Sequence, residues 1–80
     1  MASRSANEKK YKQWNDKAEG GRIYTRKVNG QQGWYALYIK ETDVTENTLS
    51  LRQEIYNEKN ELVEIHHKYP VDKGHQKLKP

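Results

Sequence analysis

Residues 48–70, TLSLRQEIYNEKNELVEIHHKYP, constrain this chain more than any other stretch. Two runs, 49–56 and 61–69, alternate apolar and polar side chains in the period-2 pattern of half-buried strands. Between them, Asn57-Glu58-Lys59-Asn60 fits a type I turn followed by a residue in the left-handed region, which Asn tolerates better than most residues. That loop predicts a register pairing Ile55 with Val63, Gln53 with Ile65, Leu51 with His67 and Leu49 with Tyr69 on an apolar, core-facing side. On the other side Tyr56 then meets Leu62, Glu54 meets Glu64, Arg52 meets His66 and Ser50 meets Lys68.

Two glutamates directly across a sheet repel by a few tenths of a kcal/mol or more, so this register calls for compensation from Arg52 and His66 alongside. A coupled pair of carboxylates holds one proton to a higher pH than a lone Glu does, which is equipment for general acid–base chemistry. The same four residues also suit the solvated face of an edge hairpin, where water screens the repulsion.

Upstream, Ser5 and Glu8 have the spacing of a capping box and open an expected helix over 5–19. Tyr11, Trp14 and Ala18 fall on one face of it, and Gly20-Gly21 stops it. So short a helix persists only if it docks, and the apolar face of the sheet is its expected site. Residues 22–28, RIYTRKV, read as a strand. Asn29-Gly30 gives a hairpin signal that Gly33 complicates, which leaves the facing of that strand open. Residues 34–41, WYALYIKE, are apolar on both faces, as a central strand is. If Tyr35, Leu37 and Ile39 face the core, then Trp34, Ala36 and Tyr38 lie beside Arg52, Glu54 and Glu64. Residues 42–47, TDVTEN, read as a polar connection, and 70–80 as an irregular basic tail.

The expected fold is therefore α+β: an N-terminal amphipathic helix packed on a four-stranded antiparallel meander over 22–69, with the whole chain, 1–80, one domain. At 32% hydrophobic residues the core is thin, so a partner or a second copy covering the Trp34 face is an expected possibility. With no Cys there is neither a disulfide framework nor a thiolate metal site. Neighbouring His66 and His67 point to opposite faces of a strand and cannot chelate one ion together; His66 with Glu54 and Glu64 could, but no spacing motif supports that site, so neither a metal nor another cofactor is expected. The opening residues carry no apolar signal region and no run is long enough to span a bilayer, giving an expected cytoplasmic location without membrane partners.

Charge divides along the chain. Residues 1–28 hold eight Lys or Arg against three acids, 29–69 hold four against seven, and 70–80 hold three against one. A polyanion is thus expected to meet the termini and not the sheet. Lys9, Lys10 and Lys12, with the aromatic face of Trp34 and Tyr38 and with Arg52, are the candidate binding residues for a protein or nucleic-acid complex. This reading is of a non-enzymatic binding module, of the kind found among accessory factors of phages and mobile elements.

A helix before a four-stranded antiparallel sheet that carries Glu, Arg and His on one face resembles the small microbial ribonucleases and the messenger-cleaving toxins of toxin and antitoxin pairs. The resemblance implies a metal-independent endoribonuclease in which Glu54 or Glu64 is the base, His66 the acid and Arg52 the stabiliser of phosphorane charge.

Overall fold

The structure, a computed structural model, describes residues 4–78. It corrects the expected architecture: a short helix, α1 (Arg4–Tyr11), is followed by six strands. These are β1 (Gln13–Asp16), β2 (Arg22–Asn29), β3 (Tyr35–Thr42), β4 (Thr48–Tyr56), β5 (Leu62–Tyr69) and β6 (His75–Lys77). They form one antiparallel sheet in the order β1-β2-β3-β4-β5-β6, a plain meander.

The two added strands come from misread ends. The helix stops at Tyr11 because Lys12 adopts a left-handed φ of 66° while its N–H still donates to the Glu8 carbonyl (3.0 Å). Trp14 therefore belongs to β1, where it lies opposite Tyr24, and Ala18 belongs to the β1–β2 hairpin. Ser5 sits inside the helix, and the Glu8 carboxylate bonds Arg22 (2.6 Å) instead of turning back on a cap. At the other end, His75–Lys77 pair with Glu64–His66, so the tail is not irregular throughout. The Tyr69-Pro70 bond is cis.

Three hairpin loops share one geometry. In each, the first residue's N–H donates to the carbonyl of the fifth: Lys17 to Gly21 (2.8 Å), Asp43 to Asn47 (3.0 Å) and Asn57 to Glu61 (3.0 Å). In each, the fourth residue is left-handed: Gly20 (φ 99°), Glu46 (φ 67°) and Asn60 (φ 62°). The last is the turn expected from the sequence. Gly21 has its own constraint, since a Cβ there would collide with the Thr42 carbonyl. The β2–β3 loop shares these two features, with the Gly30 N–H donating to the Trp34 carbonyl (2.7 Å) and Gly33 left-handed (φ 84°), but it adds a second left-handed residue, Gln32 (φ 58°), and closes its turn from the Trp34 N–H to the Gln31 carbonyl (3.1 Å).

The loop was read correctly but the register beyond it was not. Tyr56 does face Leu62, yet Ile55 faces Glu64, so Val63 is an extra residue in β5. That bulge shifts the pairing by one, and a one-residue shift exchanges faces. Glu54 now faces Ile65, Gln53 faces His66 and Arg52 faces His67, until a second extra residue, Lys68, brings Leu51 opposite Tyr69. A third irregularity falls in β4, where Leu49 is extra between the Glu41–Ser50 and Thr42–Thr48 pairs.

The helix packs on the face of the sheet that carries Tyr24, whose ring lies 5.7 Å from that of Tyr11 and 6.2 Å from that of Trp14. Register places Lys40 and Leu51 beside Tyr24, and Arg26, Tyr38, Gln53 and His66 in the next row. The helix thus covers the face of β3 opposite to the Leu37 and Ile39 side that the alternation suggested. The apolar core is small: among the described residues only Tyr11, Tyr24 and Ile39 are buried hydrophobics. Buried polar groups outnumber them, namely Asn7, Thr42, Glu46 and Asn57.

A basic face around the end of the helix

The centre of the helix-side face is a buried carboxylate. Glu46 is 6% exposed and accepts from the Tyr24 hydroxyl (2.5 Å), the Asn7 amide (3.1 Å) and the Arg4 guanidinium (3.3 Å). Burial alone pushes the Glu46 carboxyl up, but these donors outweigh it and hold it below the usual carboxylate range. The phenol of Tyr24 is pushed up by burial and by its bond to Glu46, with Arg22 opposing. Asn7 passes the network on by accepting from the Lys40 ammonium (2.9 Å). Desolvation and the nearby charge of Lys10 hold Lys40 below the usual lysine range.

Around this anchor, at the C-terminal end of α1, the surface is basic. One recess of about 550 Å³ lies where Lys9, Lys10, Lys12 and Arg26 converge beside Tyr11; Lys27 borders it, but pairs with Leu37 on the other face and sets its ammonium over the Tyr35 ring, 4.4 Å from the centroid. A second, about 480 Å³, runs from Lys10 and Tyr11 past Lys40 to Leu51 and Tyr69. A third, about 270 Å³, lies between Lys10, Tyr11, Arg26, Tyr38, Leu51 and Lys68. Lys10 and Tyr11 line all three. Lys9, Lys10, Lys12, Arg26, Lys27, Lys40 and Lys68 have no carboxylate ion pair among the described residues.

The acids are occupied elsewhere. Glu8 and Asp16 bond Arg22, Glu19 and Glu41 bond Lys17, Glu46 bonds Arg4, and Glu54 bonds Arg52. Glu64 reaches His75, Asp72 reaches His66, and Glu58 accepts from the Trp34 indole. Asp43 and Glu61 accept within their own hairpin loops. Only Glu46 among the acids lines any of the three recesses, and its charge is met by Arg4.

The candidate residues read from the sequence separate into groups. Lys9, Lys10 and Lys12 join Tyr38 at these adjoining recesses. Trp34 does not: it stands 41% exposed beyond the opposite end of β3, beside Val63, Glu64, Lys77 and Leu78. Arg52 lies on the far face, where it donates to Glu54 (2.8 Å), which in turn accepts from the Tyr56 hydroxyl (2.8 Å). Burial and Glu54 push the Tyr56 phenol up to about 12.

The Glu54, Glu64, Arg52 and His66 cluster is therefore not assembled. The Val63 bulge leaves Glu54 and Arg52 on the far face and turns Glu64 and His66 to the helix side, where their partners are His75 and Asp72. The arrangement that carried the likeness to ribonucleases depended on the uninterrupted register. Among the described residues no group of three or more His, Asp or Glu side chains is placed to hold a metal ion, and no helix is long and apolar enough to cross a membrane.

Sequence reasoning missed Arg26, Lys40, Lys68 and Glu46. A signal for Glu46 existed: Asp43-Val44-Thr45-Glu46-Asn47 repeats the Asx-x-x-x spacing of 57–61, which marks position 46 as left-handed. No protein-family model, curated protein or solved structure matches the chain.

Proposed function

We propose that the protein is a non-enzymatic nucleic-acid-binding module whose interface is the basic face around the end of α1. The supporting observation is the sorting of charge. Six Lys and Arg side chains from α1, the turn after it, β2, β3 and β5 (Lys9, Lys10, Lys12, Arg26, Lys40 and Lys68) converge on three adjoining recesses without carboxylate partners among the described residues, while the acids are occupied internally or at other edges. Cations that the fold leaves uncompensated on one face are what a phosphate backbone neutralises, with release of its condensed counterions.

Fluorescence anisotropy with labelled oligonucleotides tests this. Affinity should fall linearly on a log–log plot against salt, by roughly 0.7 to 0.9 per phosphate contacted. Lys10→Glu and Arg26→Glu should each weaken binding by about tenfold or more, and Lys59→Glu, at the distant tip of the β4–β5 hairpin, should not. Equal effects of the three reversals, or no salt-dependent binding, would sink the proposal.

A further inference from the structure

We infer that the smallest of the three recesses receives one unpaired base of a single strand, stacked on Tyr38. This rests on the nucleic-acid reading above and specifies the form of the ligand. The recess holds about 270 Å³ and is lined by Lys10, Tyr11, Arg26, Tyr38, Leu51 and Lys68. That is below the roughly 300–1,000 Å³ of pockets that enclose drug-sized molecules, and it suits a single flat ring with its sugar.

Its chemistry divides in the same way. Tyr38 and Leu51 provide an apolar floor from the central strands, and three cations form the rim with no acid among the lining residues. Tyr38 is a prepared platform: it occupies the middle of β3 between Arg26 on β2 and Gln53 on β4, and Gln53 donates to its hydroxyl (3.0 Å). Tyr11, at 4% exposed, is a wall and not a stacking surface. The Lys68 ammonium lies over the Tyr38 ring, 5.4 Å from its centroid. Lys68 is also the extra residue of the second β5 bulge, so its long side chain is set across the recess from outside the regular pairing. An entering base takes the place of the ammonium on the ring, and the ammonium moves to the phosphate that the base brings with it. The ammonium over the ring shows that the ring's π-face is turned toward the recess, where a base can stack on it.

A duplex cannot use the recess, because its bases are stacked and paired inward and only phosphates reach the rim. An acidic peptide would satisfy the cations but has no ring for the platform. The interface should therefore prefer single strands, and the preference should reside in Tyr38.

The test is anisotropy with a labelled single strand, the same sequence as a duplex, and polyglutamate as competitor, on wild type, Tyr38→Leu and Tyr38→Phe. Tyr38→Leu should weaken single-strand binding roughly 5- to 100-fold while duplex binding changes less than about twofold, and Tyr38→Phe should retain the preference. Should Tyr38→Leu not fold, ring-proton shifts of Tyr38 in the wild type decide: they move upfield with the single strand and not with the duplex. A folded Tyr38→Leu that binds single strands normally, a Tyr38 ring unmoved by single strands, or polyglutamate competing as well as the oligonucleotide overturns the inference. If single strand and duplex bind equally and the Tyr38 variants are silent, the basic interface stands and the base recess falls. If neither binds, the nucleic-acid reading itself fails.

Discussion

The β3–β4 and β4–β5 loops have the same backbone and opposite duties. Both start on an Asx side chain that accepts from two backbone N–H groups: Asp43 from Thr45 and Asn47, Asn57 from Lys59 and Glu61. Both place their fourth residue at a left-handed φ, 67° for Glu46 and 62° for Asn60. Asn60 is exposed and accepts from the Tyr35 hydroxyl (3.0 Å). Its conformation is one that Asn adopts at little cost. Glu46 is buried, and a glutamate in that region costs about 1–2 kcal/mol. The loop keeps it there because the turn aims its carboxylate at Tyr24, Asn7 and Arg4, binding the helix to the sheet. An unfavourable local conformation persists where the surroundings over-determine it. The difference shows that one of the two left-handed positions is only a turn, and the other is the fastening of the fold.

Breaking the fastening should give the largest effect. Glu46→Ala strands a buried hydroxyl and a buried amide and frees a guanidinium, and should destabilise by about 2–4 kcal/mol by chemical denaturation. In a domain of this size that is a fall in Tm of roughly 10–25 °C. Asn60→Ala, which loses only an exposed contact and the tolerance for positive φ, should stay near 1 kcal/mol. Acid should act on the same difference. The folded Glu46 carboxyl lies below its unfolded value, so the unfolded chain binds more protons in acid and the stabilisation rises with pH. It is fully present above about 4.3, the ordinary glutamate value, and is lost as pH falls through the folded one. Melts of wild type and Glu46→Ala from neutral to acid pH should therefore converge, and a gap that stays constant would deny the carboxylate its role.

Glycine sharpens the comparison at smaller scale. Asn60→Gly should be neutral within about 0.5 kcal/mol, whereas Glu46→Gly should remain destabilising although it relieves the backbone. Equal outcomes in thermal melts would mean that strain, not the clamp, distinguishes the loops. The smallest effect belongs to the feature the loops share: Asp43→Asn retains the accepting oxygen and should shift stability at neutral pH by only a few tenths of a kcal/mol.

The same contrast shows what could be read in the chain and what could not. Asn57 and Asn60 carry their turn in their own chemistry, so the 57–61 hairpin was legible down to its left-handed residue. Val63 was not: a bulge adds a residue without changing the apolar character around it, and nothing in NELVEIHH marks the point where alternation slips. Four strands were recognised, but Val63 reversed the facing of β5 beyond it, and β3, apolar on both faces, was assigned the wrong side for an independent reason. Tyr11, Trp14 and Ala18 fit a helical period, but Trp14 and Asp16 fit a strand period equally, and Lys12 decides between them only through its φ. The basic face was half visible. Lys9, Lys10 and Lys12 are close together in sequence, while Arg26 stands alone on its side of a strand and Lys40 and Lys68 are scattered through a stretch that looks acidic until pairing sorts it by side.

The meander also separates near from far in time. Every strand pairs with its sequence neighbour, so the sheet can grow by successive short closures, each of which costs little chain entropy. The bonds from Arg4 and Asn7 to Glu46 are of another kind, spanning 42 and 39 residues. Loop-closure entropy weighs against these long closures until β2 and β3 have brought Tyr24 and the 43–47 loop together, so the helix is the element whose docking depends on the rest of the sheet.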